Sequence, residues 1–469
     1  MKVKTRFAPS STGCLHIGSI RTALYSWLFA KRHHGSFVLR IEDTDISRSN
    51  LVFIKNITKT LQWLGISWDE GPYLQSDRIK LYKEKINEML DLGYAYRCYC
   101  SVERLKKIRL KQILKGEKPC YDRKCRDHKV LSKHVNHSYV VRFKNKISGE
   151  VTFNDCIRGK ISFRNSELDD LVIQRANGMP TYNFCVVIDD IEMNISHVIR
   201  GEDHINNTPR QINIFKSLNS FIPYYAHVSM IVNNNKLNLS KRKNDLSILE
   251  YKNNGFLKEA ILNYLIKLGW SYGDKEIFSI LEMKKLFSLD RVSKSSSEFN
   301  LDKLLWFNHY YLNTLPVDDY LVYSFKKQLK NLHIHYNDSD NEKILKIINI
   351  FKSRCNTMKD IALSSIYLFQ DINNEYEGLI KKYIFKKSSI IFNMIYNHLY
   401  FLENWTDKKI WMILKHVSDK FNVPLKNICV PLRIAITGLH ASPSLNVIMS
   451  LLGKKKSLIR IKRILYYFK

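Results

Sequence analysis

The residues Arg6-Phe7-Ala8-Pro9-Ser10-Ser11-Thr12-Gly13-Cys14-Leu15-His16-Ile17-Gly18-Ser19 join a short apolar strand to a turn rich in serine and glycine. The turn leads to His-x-Gly, where a helix begins. A helix N-terminus offers unpaired N–H groups and the positive end of the helix dipole, and an imidazole there adds a further donor for phosphate oxygens. Far along the chain, Leu239-Ser240-Lys241-Arg242 is a second phosphate-binding candidate. Two such elements at opposite ends of one nucleotide-binding domain imply ATP held for attack at its α-phosphorus. That reaction asks for positioned donors and Mg²⁺ more than covalent help.

Other residue types invite different chemistry. Cys98, Cys100, Cys120 and Cys125 crowd together while the remaining cysteines are scattered; in a cytosolic chain such a cluster reads as metal before disulfide. Downstream, Arg142, Lys144, Lys146, Arg158, Lys160 and Arg164 lie among aromatic residues. They suit the phosphates and 2′-hydroxyls of an RNA end, or equally a solvated strand face.

The elements that must position these groups follow from hydrophobic periodicity. Lys4–Ala8 reads as a strand. Ile20, Leu24, Trp27 and Leu28 mark an amphipathic helix running to about His34, before Gly35. Phe37–Ile41 is a second strand, closed by the acidic turn Glu42-Asp43-Thr44-Asp45. Strand, phosphate turn, helix and strand make the first half of a doubly wound parallel sheet. Short alternating segments such as Tyr139–Phe143 then interrupt the rhythm, and the sheet pattern is expected to return at Val186–Asp189 and His197–Arg200. From Gly255 the chain turns helical: Phe256, Ala260, Ile261, Tyr264, Leu265 and Leu268 share one face, stopped by Gly269.

At 469 residues the chain exceeds one ordinary core and should form two to four domains. A net charge of +31 calls for a polyanionic partner, nucleic acid first, although AT-biased coding would also load a chain with Lys, Asn and Ile. No apolar run is long enough to span a bilayer. Met1–Arg6 leads straight into the first motif, so no cleavable leader, no membrane partner and a cytoplasmic location are expected.

Taken in order, these motifs resemble the class I aminoacyl-tRNA synthetases, specifically the bacterial-type glutamyl-tRNA synthetases. The resemblance spans most of the chain. It rests on Arg6-Phe7-Ala8-Pro9-Ser10 with His16-Ile17-Gly18-Ser19, on Arg40-Ile41-Glu42-Asp43-Thr44-Asp45 and on Pro180-Thr181-Tyr182-Asn183. It continues through Val198-Ile199-Arg200-Gly201-Glu202-Asp203-His204, Leu239-Ser240-Lys241-Arg242 and Pro431-Leu432-Arg433-Ile434-Ala435-Ile436-Thr437-Gly438.

The resemblance implies roles. His16 and Lys241 would be catalytic, His16 donating to phosphate oxygens and Lys241 neutralising the β- and γ-phosphates from a mobile loop. Gly13, Gly18, Ser19, Asp203, Ser240 and Arg242 would complete the ATP site, with Gly18 letting adenine approach the backbone and Asp203 meeting the ribose. Arg6 and Arg200 would bind carboxylate, with Glu42 taking the ammonium and Tyr182 and Ser10 close by. Cys98, Cys100 and Cys125 look like the structural Zn²⁺ site of some bacterial members. There the pattern closes with Cys-x-His, whereas here Asp127 occupies that position, leaving His128 or Cys120 as the alternative fourth ligand. Two further departures stand out: Asn238 replaces the family's lysine before Leu239, and Ser11 replaces a proline. Slower activation is expected from them.

The implied fold is an α/β Rossmann-type catalytic domain (1–97 and 186–254) carrying an α+β acceptor-binding insertion (98–185). A helical connecting domain (255–315) and an all-α anticodon-binding region (316–469) follow. The implied activity is ATP-dependent ligation of L-glutamate to tRNA(Glu) through glutamyl-adenylate, by a monomer using Mg²⁺ and one structural Zn²⁺. In this family the first step needs bound tRNA. Two alternatives stay open: an enzyme that also charges tRNA(Gln), and a catalytically decayed tRNA-binding protein. Glutaminyl-tRNA synthetases would carry β-barrels where this chain reads helical, and short tRNA-modifying glutamyl transferases would lack the C-terminal part.

Overall fold

The computed structural model describes residues 2–11, 13–44, 50–127, 138–233, 247–337, 340–372 and 387–465. The chain runs β1 (Lys4–Phe7), α1 (Ile17–Arg32), β2 (Ser36–Ile41), α2 (Leu51–Leu64), β3 (Glu70–Leu74), α3 (Ile79–Asp91), β4 (Ala95–Cys98), α4 (Val102–Leu114), β5 (Val140–Phe143), β6 (Glu150–Asp155), β7 (Gly159–Arg164) and β8 (Val172–Gln174). It continues α5 (Tyr182–Glu192), β9 (His197–Gly201), α6 (Thr208–Ser217), β10 (Tyr224–Val228), β11 (Ile231–Val232), α7 (Ile248–Asn253), α8 (Lys258–Lys267), α9 (Ile280–Leu286), β12 (Ser297–Glu298) and α10 (Leu301–Thr314). Only helices follow among the described residues: α11 (Asp319–Asn331), α12 (Asn341–Phe351), α13 (Met358–Ser364), α14 (Ser388–Tyr400), α15 (Asp407–Phe421), α16 (Leu425–Thr437), α17 (Leu445–Leu452) and α18 (Lys454–Leu465). Two compact units result, Met1–Glu250 with Lys258–Leu304, and Tyr251–Leu257 with Leu305–Lys469.

The first unit is built on a seven-stranded sheet of order β3-β2-β1-β9-β10-β6-β7. Its first six strands run parallel, and β7 returns antiparallel to β6 as a hairpin. Thr5 pairs with Phe37 on one side and His197 on the other. The order therefore reverses between β1 and β9, the place where open parallel sheets bind ligands beyond their C-terminal strand ends. A separate three-stranded antiparallel sheet, β4-β5-β8, carries the cysteine-bearing segment. This is a Rossmann-type parallel core with an α+β insertion, and the second unit is helical.

Local sequence explains the frame. Helix α1 buries Ile20, Ala23, Leu24, Tyr25, Trp27 and Leu28 against β1, β2 and β9, and Lys31 and Arg32 in its last turn meet the negative end of its dipole. Gly35 then lets the chain enter β2, because a Cβ there would stand 2.1 Å from the Val3 carbonyl oxygen. On the other face, α6 and the strands share Val38, Val198, Ile212 and Tyr225. Each large apolar side chain so buried contributes about 1.5–3 kcal/mol.

One expectation is corrected. Val186–Asp189 is not a strand but the middle of α5. Its run of apolar residues, Phe184 to Ile188, is buried all round against α3, α6 and the three-stranded sheet. Such a short, fully buried run has no polar face to reveal the helical period. Helix α8 runs as its apolar spacing requires and gives way at Gly269, at φ +102°. No helix among the described residues is long and apolar enough to cross a membrane.

Candidate active site

A cavity of about 700 Å³ opens at the reversal between β1 and β9. The turn after β1 supplies Ser10 and Gly13, the start of α1 supplies His16, Gly18 and Ser19, and the end of β2 supplies Glu42. Tyr182 enters from the first position of α5, Arg200 from the end of β9, and Asp203 and His204 from the 3₁₀ turn Glu202–Asn207 that follows it. Arg6, on β1, completes the wall. The structure thus brings the sequence-predicted residues of the turn, the two strands and α5 into one cavity. Ser240, Lys241 and Arg242, with Asn238, lie outside the described residues.

His16 is the N-cap of α1, in extended conformation at φ −98° and ψ 170°. Its Nδ1 accepts the Ser19 N–H at 3.4 Å, which satisfies one orphan donor of the helix. A neutral ring that accepts at Nδ1 carries its proton on Nε2, so the cap sets this imidazole up as a donor. The turn is tied to β2 by the Glu42 N–H donating to the Pro9 carbonyl at 2.9 Å and the Ser11 N–H donating to the Glu42 carbonyl at 3.3 Å.

The inner wall of the cavity is cationic. Arg6 and Arg200 are each 5% exposed. Burial lowers the Arg6 pKa and the neighbouring Arg40 and Arg200 lower it further, with Asp190 opposing. Arg6 Nε donates to Asp190 Oδ1 at 3.4 Å, and Arg40 Nη1 to the same oxygen at 2.7 Å. Arg200 donates from Nη1 to Gln211 at 2.9 Å and from Nη2 to Thr208 at 2.8 Å. Burial pushes the Glu42 carboxyl up to about 7 despite Arg40 and Arg6. Tyr182 is pushed up to about 12 by burial and by Glu42, and its hydroxyl meets His204 Nδ1 at 3.3 Å. His204 falls to about 4 through burial and Arg200, while Asp203 stays exposed beside it at 3.7 Å. Buried cations paired with one poised carboxylate suit a small zwitterion bearing an extra carboxylate.

The thiols of Cys98, Cys100 and Cys125 form a second constellation, all within 4.8 Å of one another. Cys100 and Cys125 Sγ are 3.6 Å apart, close to the ~3.8 Å expected between two thiolates on a tetrahedral Zn²⁺. The Tyr121 hydroxyl lies 3.3 Å from Cys98 Sγ and 3.6 Å from Cys100 Sγ. Asp127 stands outside this group, with its side chain 82% exposed and paired to Lys144 at 3.4 Å. Cys120 turns toward the Tyr121 carbonyl, and His128 lies outside the described residues. The donor set fits a structural zinc.

Sequence reasoning passed over Asp189, Asp190 and Arg40, the buried charges behind the cavity. Two adjacent acids closing an apolar run were the available signal, since unpaired carboxylates are rarely buried. Tyr121 had no signal beyond its place beside Cys120.

A parallel-sheet core with a histidine-capped helix at its strand-order reversal defines a class I nucleotide-binding catalytic domain. Residues 2–306 match the family described as tRNA synthetases class I (E and Q), catalytic domain, and residues 320–465 match an anticodon-binding domain; the chain belongs to this family. It is 52% identical to a glutamate–tRNA ligase of Buchnera aphidicola subsp. Acyrthosiphon pisum (strain APS), over 100% of both chains. It is 50% identical to that of Buchnera aphidicola subsp. Cinara cedri (strain Cc), over 100% of this chain and 98% of the other. Among solved structures, a glutamate tRNA ligase from Elizabethkingia meningosepticum CCUG26117 in complex with its amino acid superimposes with TM-score 0.85 at 31% identity, over 100% of both chains.

Proposed function

We propose that this chain ligates L-glutamate to tRNA(Glu) in two ATP-driven steps, as a cytoplasmic monomer. The observation that carries this reading is the cavity at the β1/β9 reversal, with two buried arginines and Glu42 set against a histidine-capped helix N-terminus. Arg6 and Arg200 take the carboxylates of glutamate and Glu42 its ammonium, while Tyr182 and Ser10 shape the pocket. The glutamate carboxylate attacks the α-phosphorus of ATP. His16 donates to the phosphate oxygens and Lys241 neutralises the departing diphosphate, with Mg²⁺ arriving on the nucleotide. Gly13, Gly18, Ser19 and Asp203, with Ser240 and Arg242, complete the nucleotide site. The terminal ribose hydroxyl of the tRNA then takes the glutamyl group and AMP leaves. Cys98, Cys100 and Cys125 would hold one structural Zn²⁺, with the Tyr121 hydroxyl the nearest candidate for the fourth position, and the metal would brace the insertion.

The test is aminoacylation with labelled glutamate, ATP and Mg²⁺ on purified tRNA(Glu) and tRNA(Gln) separately, with ATP–diphosphate exchange run with and without tRNA. Charging of tRNA(Glu), and exchange only when tRNA is present, is the expected result. Charging of tRNA(Gln) as well would broaden the substrate range. RNA binding with neither activity would overturn the reading.

A further inference from the structure

Arg200 is held from behind by two buried residues that the catalytic reading does not use. Its Nε donates to His227 Nε2 at 3.2 Å, and His227 Nδ1 lies 2.6 Å from Asp155 Oδ2. Both side chains are fully buried. A guanidinium N–H can only donate, so His227 Nε2 must accept, which places the ring's proton on Nδ1, facing the carboxylate. Burial keeps His227 below its usual value, leaving that acceptor available, although Asp155 pulls the other way. Asp155 is itself pinned by backbone N–H groups: Ile157 at 3.0 Å and Arg158 at 2.9 Å on Oδ1, and His227 at 3.1 Å on Oδ2.

These three residues come from three places. Asp155 ends β6, the hairpin strand that joins the sheet beside β10; His227 lies on β10; Arg200 lies on β9. The registers Tyr225↔Asp155 and His227↔Arg200 set them side by side. Three backbone donors already hold the carboxylate without the ring, while His227 Nε2 faces both Arg200 and, at 3.1 Å, the Thr208 hydroxyl that Arg200 Nη2 also binds. The His227 ring fixes the direction of one N–H bond on an arginine at the cavity wall.

We propose that His227 and Asp155 are positioning residues that orient the Arg200 guanidinium for the glutamate carboxylate, so that the hairpin β6–β7 supplies one strut of the amino-acid pocket. This deepens the function proposed above and rests on Arg200 being a glutamate ligand. His227→Gln keeps an acceptor where Nε2 stood. His227→Asn keeps only the donor toward Asp155, and His227→Phe keeps neither.

The experiment measures KM for glutamate, KM for ATP and kcat in tRNA(Glu) charging by the full chain, with thermal unfolding of each variant. The Asn and Phe variants should raise KM for glutamate at least about tenfold with KM for ATP unchanged, and Gln should restore most of it. Unchanged glutamate KM in the Asn variant overturns the proposal, and so does an equal loss in Gln and Asn that tracks lowered melting temperature. If the Phe variant does not fold, the Gln–Asn pair decides alone. Arg200→Lys separates the two levels. If it leaves KM for glutamate unchanged, the pocket reading falls and this proposal with it. If it raises KM while His227→Asn does not, only the relay falls.

Discussion

A Cβ added to Gly18 would stand 3.1 Å from Cε1 and 3.2 Å from Nδ1 of the His16 ring. The glycine is therefore shaped to the imidazole. The ring can make room only by loosening its cap, because Nδ1 accepts the Ser19 N–H of α1. Gly18→Ala would gain up to about 1 kcal/mol of helix propensity and would weaken a cap worth a similar amount. Stability should thus stay nearly level while His16 is displaced from the phosphates. We expect kcat/KM for ATP in exchange to fall about tenfold, or ~1.4 kcal/mol, with an unchanged melting temperature. Wild-type exchange in this variant would show that the position of His16 does not matter.

Glu42 should set a pH dependence of opposite sign for binding and for stability. Its carboxyl is raised from 4.5 to about 7 by burial. Ionising it in the folded chain is unfavourable, so its contribution to stability is whole below 4.5 and is lost as pH rises through about 7. Glu42→Gln removes that loss. The variant should melt progressively higher than the parent as pH climbs across this window, with no difference at the acid end. Binding runs the other way, because an ammonium ligand needs the carboxylate. In the parent kcat/KM for glutamate should rise through about pH 7, and in Glu42→Gln it should be low and flat. A parallel rise in the variant would remove Glu42 from the pocket.

Much of this was legible because the signals were local. The strand, the turn and the amphipathic face of α1 lie consecutively, and their spacing alone placed His16 at a helix start. The helical reading after Gly255 followed the 3.6-residue period that α8 keeps. What failed depends on neighbours distant in sequence. Phe184–Ile188 showed no polar face because tertiary packing buries every side of it, so helix and strand could not be told apart. Tyr121 and Asp190 gain their roles only when the fold carries a hydroxyl to two thiols, or a carboxylate to two arginines. Asp127 matched by alignment position, yet its side chain is turned to Lys144 and solvent.

The thiol cluster makes a direct prediction about metal content. Elemental analysis of the purified chain should give one zinc per molecule, lost on Cys100→Ser and kept on Asp127→Asn. Tyr121→Phe should hold the metal more weakly, visible as faster release to a chromogenic chelator. If, as proposed, a zinc there braces the insertion and not the nucleotide cavity, losing it should raise KM for tRNA while KM for ATP stays put. Zinc loss on Asp127→Asn with retention in Tyr121→Phe would reverse the choice of fourth ligand.

Asp190 serves two cations at once, Arg40 Nη1 at 2.7 Å and Arg6 Nε at 3.4 Å, with all three side chains buried. Removing a shared partner leaves charge in a low-dielectric interior, so Asp190→Leu should cost about 3–5 kcal/mol, far more than a surface ion pair at ~0–1 kcal/mol. Part of this should return in Asp190→Leu/Arg40→Met, since the second change removes a guanidinium left with Asp189 alone, whose Oδ2 lies 3.5 Å from its Nε. Activity should not return with it, because Arg6 would still lack the carboxylate that holds it at the cavity wall. Denaturant melts and glutamate KM on the single and double variants separate these effects. Stability and KM recovering together would mean that Asp190 acts through the fold alone and does not hold Arg6 in place.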